Sequence, residues 1–292
     1  MKKLLSILLI LLVFIPSCTA EESPLDGALR YLMKNTDSLA PASIGGDFTA
    51  IILSKNAPDN KLLADYRENA AVYVTEKGGV LHNSRYTEYS RIVYALSVTY
   101  DTVGLDPCNV AGYDIVTPLH DFDAVTKQGV NGTAWALMAL DAEPHSDSSE
   151  IRAQYVSHIL SAQNEDGSFG SLKHSEVDMT AMCLQALAAH TDAPEVAEAC
   201  RRGVDYLASA QGESGGFPSP YGESSEPISQ VLMALDALGL SYTDPRFTAE
   251  ITLYDALLAY RNRDGGFSHN KDGGSDRLAT EQAAMALIAL AE

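Results

Sequence analysis

The sequence predicts an all-α protein in which six helical hairpins close into an α6/α6 toroid, a barrel of paired helices. Three observations predict it. A phrase recurs three times: Gln163-Asn-Glu-Asp-Gly167-Ser-Phe169, Gln211-Gly-Glu-Ser-Gly215-Gly-Phe217 and Arg261-Asn-Arg-Asp-Gly265-Gly-Phe267, with the phenylalanines 48 and 50 residues apart. Behind each phrase lies a segment of small and apolar residues ending in Ala-Leu, and ahead of each lies an amphipathic one. A period of this length marks stacked copies of one supersecondary unit.

The Ala-Leu segments are taken as the inner layer. Asp178, Glu226 and Glu281 each stand nine residues before the leucine of an Ala-Leu pair, Leu187, Leu235 and Leu290. Thr87 before Leu96 and Asn131 before Leu140 share that offset, and Asp47–Leu53 is a degenerate sixth copy. These segments are apolar nearly all round, as buried helices are. Segments 24–36, 60–75, 110–120, 147–163, 194–211 and 246–262 are expected as the outer helices. In the fourth, Ile151, Tyr155, Ile159 and Leu160 form an apolar stripe; in the fifth, Val196, Cys200, Val204 and Leu207 do. An open solenoid is the competing arrangement, with edges that need capping repeats.

The phrase itself reads as a structural joint. Gln163 and Gln211 end outer helices, where a side-chain amide can satisfy orphan backbone groups. The glycines supply the positive φ of a tight turn, and the phenylalanines pack beneath it.

Residues 1–18 read as a signal peptide. Lys2 and Lys3 precede an apolar run from Leu4 to Ile15, and Ile15-Pro16-Ser17-Cys18 resembles a bacterial lipoprotein cleavage box. Cys18 is the expected lipidation site, with an ordinary cleavage after Ala20 as the alternative. Residues 19–292 are expected to form one domain, exported and anchored at the cell surface or secreted. A net charge of −19 disfavours nucleic acid and anionic lipid as partners. Cys108, Cys183 and Cys200 lack metal-ligand spacing and read as buried thiols.

The Gln-x-x-x-Gly-x-aromatic phrase resembles the repeat of squalene and hopene cyclases and of protein prenyltransferase β subunits, with Phe where cyclases usually carry Trp. The resemblance spans roughly residues 25–292 and implies a toroid with a central cavity, a frame shared with transcobalamin-like carriers and complement-type thioester domains. The chemistry of those relatives is not matched. Asp121-Phe122-Asp123-Ala124 lacks the adjacent acid of the cyclase Asp-x-Asp-Asp box. Asp178 and Cys183 are five apart, which points them about 140° apart on a helix and spoils the Asp-x-Cys zinc pattern, with His174 and His190 as the nearby histidines. Leu278-Ala279-Thr280-Glu281-Gln282 lacks the thioester cysteine. A corrinoid is the ligand that the carrier resemblance implies, though those carriers close over it with a second, β-rich domain that is not recognised here.

What remains is a polar column expected at the starts of inner helices: Asp47, Thr87, Glu88, Asn131, Asp178, Glu226 and Glu281. Trp135, one turn after Asn131, faces the same way; Tyr86, Tyr89 and Tyr221 are further candidates for stacking on a ligand. Acids in a first helical turn also complement the helix dipole. The expected function is capture of a small molecule or short peptide at an acidic barrel mouth, with no catalysis, cofactor or metal. The alternatives are an enzyme of cyclase or prenyltransferase type, a glycan hydrolase using the carboxylates, and a scaffold that holds another protein on its acidic outer surface.

Overall fold

The computed structural model describes residues 22–143, 147–171 and 174–291. The expected signal peptide and Cys18 lie outside them. An outer layer holds α1 (Pro24–Lys34), α3 (Lys61–Glu76), α8 (Ser149–Ser161), α10 (Pro194–Ala210) and α12 (Leu253–Leu258). An inner layer holds α2 (Asp47–Asn56), α4 (Thr87–Val98), α7 (Gly129–Ala142), α9 (Val177–Leu187), α11 (Ser225–Ala237) and α13 (Arg277–Ala289). Two short helices, α5 (Tyr100–Val103) and α6 (Phe122–Thr126), complete the set, and one two-residue strand pair, Gly170–Ser171 with His174–Ser175, follows the first phrase.

Each inner helix packs on the next, and α13 returns to α2. The ring is closed, which decides against the open solenoid. Local chemistry starts the helices. Ser23 caps Asp26 N at 3.0 Å with Pro24 in the first turn, and Asn60 caps Leu62 N at 3.0 Å. Thr252 and Asp276 cap α12 and α13 in the same way.

The phrases are the joints of the ring. Gln163 Nε2 donates to Gly167 O at 3.0 Å, closing its own turn, and to Ala199 O at 2.8 Å on α10, the next outer helix. Gln211 repeats the first bond to Gly215 O at 3.1 Å, and its Oε1 accepts from Ala249 N at 3.4 Å. The third phrase has Arg261 instead, and its longer side chain donates to Glu22 O and Ser23 O at 3.2 and 3.3 Å. The last joint therefore grips the start of α1. Gly265 has φ +92°, and a Cβ there would stand 2.4 Å from Gly27 O, so a side chain is excluded both by conformation and by the approach of α1. Phe169 N and Phe267 N donate to Thr180 and Thr280 Oγ1 at 3.0 and 2.8 Å, tying each turn to the inner helix that follows.

Two expected outer helices differ. Segment 110–120 is not a helix: Gly112 and Pro118 break it, Ala111 has φ +53°, and Asp114 Oδ1 takes the Val116 and Thr117 amides into a local turn. Only 3₁₀ turns at 107–109 and 117–120 and then α6 stand there. The sixth outer helix shortens to Leu253–Leu258, because Thr252 caps it late.

Candidate functional site

The inner helices face the barrel axis along one stripe, i, i+4, i+7 and i+11. Its middle levels enclose a cavity of about 40 Å³, room for one or two waters. Phe48, Tyr94 and Trp135 form one wall, with Trp135 centroids 6.0 Å from Phe48 and 6.4 Å from Tyr94. Opposite them an amide ladder crosses three helices: Gln185 Nε2 donates to Gln230 Oε1 at 2.9 Å, and Gln230 Nε2 to Gln282 Oε1 at 3.2 Å. Methionines fill the rest. Beyond them, Ala142, Ala189, Ala237 and Ala289 leave an open basin of about 380 Å³ at the C-terminal ends of the inner helices.

One turn before Trp135, Met182 and Gln230 stand Asn131, Asp178 and Glu226, and one turn before Arg91 stands Thr87. These four expected residues belong to a single layer at the N-terminal mouth. Glu281 does not. The anchoring of Phe169 on Thr180 and Phe267 on Thr280 equates those threonines, so the partner of Asp178 on α13 is Leu278. Glu281 lies three residues further on, in the second turn of α13, and Ala286-Leu287 is the true counterpart of Ala186-Leu187. Asp47 has the same displacement. Both acids occupy the level of Ser90, Ala134, Ala181 and Ser229, all at most 1% exposed, inside the wall rather than in the mouth.

There they act as structural clasps. Asp47 Oδ1 accepts from Tyr66 OH at 2.9 Å and Ala42 N at 3.1 Å, and Oδ2 accepts from Arg91 Nη2 at 3.1 Å. Glu281 Oε2 accepts from Gly45 N at 3.0 Å, and Oε1 from Thr49 N and Oγ1 at 2.9 and 2.5 Å. Helix α2 has Gly46 at its N-cap with no side-chain bond, so Glu281 supplies that cap from a neighbouring helix. Burial raises both carboxyls above their ordinary values, against the pull of Arg91 and Tyr66 on Asp47 and of Thr49 and Gly45 on Glu281.

The mouth acids behave differently. Asp178 keeps accessible surface, yet it sits in a concavity that strips much of its water, and with Glu226 and Glu176 adding repulsion its carboxyl rises to about 6. Glu226 is touched by His269, whose Nδ1 stands 2.9 Å from both carboxylate oxygens. The loop carrying His269 is clamped to α11 by Ser225, whose N and Oγ donate to His269 O and Ser268 O at 3.1 and 2.9 Å.

The opposite side of the mouth carries both signs of charge. Thr87 is held by Gln128, which accepts from its N at 3.0 Å and donates to its Oγ1 at 3.1 Å. Glu88 accepts from Tyr73 OH and from Arg85 Nη2. Together with Lys77 and Arg91 these side chains bound a polar recess of about 330 Å³. Arg91 Nε is buried without a hydrogen-bond partner among the described residues. The cations on this side are paired, Arg91 with Asp47 at 3.1 Å and Arg85 with Glu88 at 3.2 Å, whereas Asp178 and Glu226 on α9 and α11 have no Lys or Arg partner among the described residues.

The other sequence candidates scatter. Tyr89 is buried, its OH accepting from Leu81 N at 2.9 Å, and Tyr86 packs on it at 5.6 Å. Tyr221 is 98% exposed on the loop before α11. Cys183 lies in the core, away from Asp178, and His190 pairs with Asp141 at 2.9 Å by the other mouth. Cys108, Cys183 and Cys200 are free thiols. Among the described residues, Asp106, Cys108 and Glu143 are the group with ligand atoms close enough for a metal, but burial and the flanking carboxylates push the Cys108 thiol up to about 12, where it holds its proton. Sequence reasoning missed Arg91, His269 and the Gln ladder. The repeat register carries Arg91 and one rung of the ladder, Gln230, which with Trp135 and Met182 recur one turn after mouth residues.

No helix of the described residues is long and apolar enough to cross a membrane. No curated protein gives a match to this sequence. A family model, the prenyltransferase alpha-alpha toroid domain, matches residues 115–291, which covers α7 to α13 and all three phrases. The closed double ring and its repeated joints agree with that match over more than half of the chain: the protein belongs to the prenyltransferase alpha-alpha toroid family.

Proposed function

We propose that the protein is an exported, lipid-anchored toroid that holds a small ligand or short peptide at the N-terminal mouth of its barrel, without transforming it. One observation carries the reading. Asp178 and Glu226 flank a mouth across which stands Arg91, held by Asp47 at 3.1 Å but lining an open polar recess, above a lumen that closes to about 40 Å³. In the ring order α4 stands across from α11. At the usual interaxial spacing, opposite axes of a six-helix ring are about 16–20 Å apart. The side chains reduce that to roughly 8–10 Å, the span of two or three extended residues. A ligand bearing an amine at one end and a carboxylate at the other fits this charge pattern. The enclosed lumen of about 40 Å³ weighs against a terpenoid cyclase or prenyl transfer reaction, because enclosed pockets for ligands of such size run to several hundred Å³ and the basin of about 380 Å³ is open to solvent. Export and anchoring rest on Lys2, Lys3, the Leu4–Ile15 run and Cys18.

A second reading has its own support. Asp178 rises to about 6 beside the negative charge of Glu226, and two carboxylates with separated protonation are what glycoside hydrolysis uses. Calorimetry against amines, dipeptides, simple carboxylates and oligosaccharides tests both readings. Dipeptides should bind tightest, Asp178→Asn should weaken them at least tenfold, and no member should be turned over. Oligosaccharide cleavage abolished by Asp178→Asn or Glu226→Gln would replace binding with hydrolysis. Mass spectrometry of the mature N-terminus, with Cys18→Ser as control, tests the anchor.

A further inference from the structure

Four of the seven methionines in the chain, Met138, Met182, Met233 and Met285, line the one lumen cavity, on four successive inner helices. Methionine fills irregular gaps, and packing accounts for one or two such residues. Three features exceed that. Met138, Met233 and Met285 share a level of the i, i+4, i+7 stripe on α7, α11 and α13, so they surround the axis, while Met182 stands one turn above on α9. The axis is within their reach: opposite helix axes about 16–20 Å apart, less a Cα radius of about 2.3 Å each, leave the Cα atoms roughly 6–8 Å from the centre. Three side-chain bonds carry a thioether sulfur about 4 Å inward from there. Those same three methionines floor the open basin of about 380 Å³, whose lining carries Asp141, Asp236 and Lys55, so an ion has a way in.

We propose that this lumen is a binding site for a soft monovalent cation, Cu(I) or Ag(I), held by the thioethers of Met138, Met233 and Met285 with Met182 above. Thioether sulfur selects soft ions, and no carboxylate, imidazole or thiolate lines the cavity to favour zinc or a harder cation. The cavity admits one ion and little else. The aromatic faces of Trp135 and Tyr94 border it and provide cation–π stabilisation. Thioethers carry no proton to lose, so the ion binds without proton release or redox change.

Ag(I), which needs no reductant, is the probe. The full chain, labelled at the methionine methyls with ¹³C, is titrated with silver nitrate in chloride-free buffer while Trp135 fluorescence is followed. Four lumen methyl resonances should shift together at one equivalent, with Trp135 quenched, while exposed Met33 and Met179 on α9 stay still. Substituting Met138, Met233 and Met285 each by Leu conserves volume and should weaken the quenching titration at least tenfold. The cysteines bind silver too, and the methyl shifts separate the two classes in the native chain. Shifts absent from the lumen methyls while silver is taken up by thiols would overturn the proposal, as would unchanged quenching in the triple variant. If the triple variant does not fold, the native methyl titration decides alone.

Discussion

Asp178 and Glu281 stand at equal distances before an Ala-Leu pair, on inner helices of the same ring, and their fates are opposite. On the α9–α11 side the carboxylates look into an open mouth, close enough to repel each other, with His269 as the partner of Glu226 among the described residues. On the α13–α2 side they are sealed in the wall, every oxygen of Glu281 and Asp47 accepting from protein. The difference follows from where the chain ends meet. Between α9 and α11 the ring is continuous and the phrases hold neighbours together. Between α13 and α2 two distant parts of the chain must be joined, and α2 begins at Gly46 with no cap of its own. Polar bonds close that seam: Glu281 to Thr49 and Gly45, Arg30 to Asp264 O at 2.8 Å, Tyr31 to Ser275 O at 3.1 Å, and Arg277 to Asn35 O. Glu281 is used for closure of the seam, whereas Asp178 and Glu226 are open to the mouth.

Glu281→Ala gives the largest expected effect. It strands two backbone N–H groups and a hydroxyl in a buried wall, at about 3 kcal/mol or more. Urea denaturation should show the loss; a change under about 0.5 kcal/mol would erase the distinction between seam and mouth. Gly265→Ala comes next, at about 1–3 kcal/mol, from strain at φ +92° and the 2.4 Å approach to Gly27 O. Gly239→Ala is the control: it shares a positive φ, +66°, with nothing within 4 Å of the added carbon, so it should cost less. Equal losses would mean that the closeness of α1 is not what makes Gly265 costly to replace. Tyr66→Phe removes one bond to buried Asp47 and should cost about 1–2 kcal/mol in the same urea measurement.

Much of this frame was legible in the sequence, for a physical reason. Toroid joints repeat because each hairpin meets its neighbour in the same way, so Gln163, Gly167 and Phe169 return as Gln211, Gly215 and Phe217. The register of α13 was not legible. It carries two Ala-Leu pairs three residues apart, Ala286-Leu287 and Ala289-Leu290, and only the bond from Phe267 N to Thr280 distinguishes them. Choosing the second pair moved Glu281 into the mouth layer. Arg91 is in register with Trp135, Met182 and Gln230, but its place across from Glu226 depends on ring closure, which no local pattern states. The third outer helix failed for a nearer reason: Gly112 and Pro118 were in view and outweigh the apolar spacing around them.

The mouth side yields the smallest and most selective effect. Asp178 titrates near 6 when folded, above an unfolded value near 3.9, so its protonated form is the one the fold favours. The stability it contributes is full below pH ~4 and is lost as pH rises through about 6. Asp178→Asn removes that loss, so the variant should melt higher than the parent at pH 7.5 and equal to it at pH 4. The carboxylate keeps accessible surface, and screening reduces the gain to a fraction of 1 kcal/mol, roughly 1–2 °C in Tm. Amine affinity should move the other way, since ionised Asp178 attracts a cation: in the parent it should rise between pH 5 and 7, and in the variant stay flat. A residue kept at some expense of stability and matched to a ligand's charge is a binding group. If instead Asp178→Asn lowers Tm at pH 7.5, Asp178 is another clasp like Glu281, and the mouth has no acid left over for a ligand except Glu226.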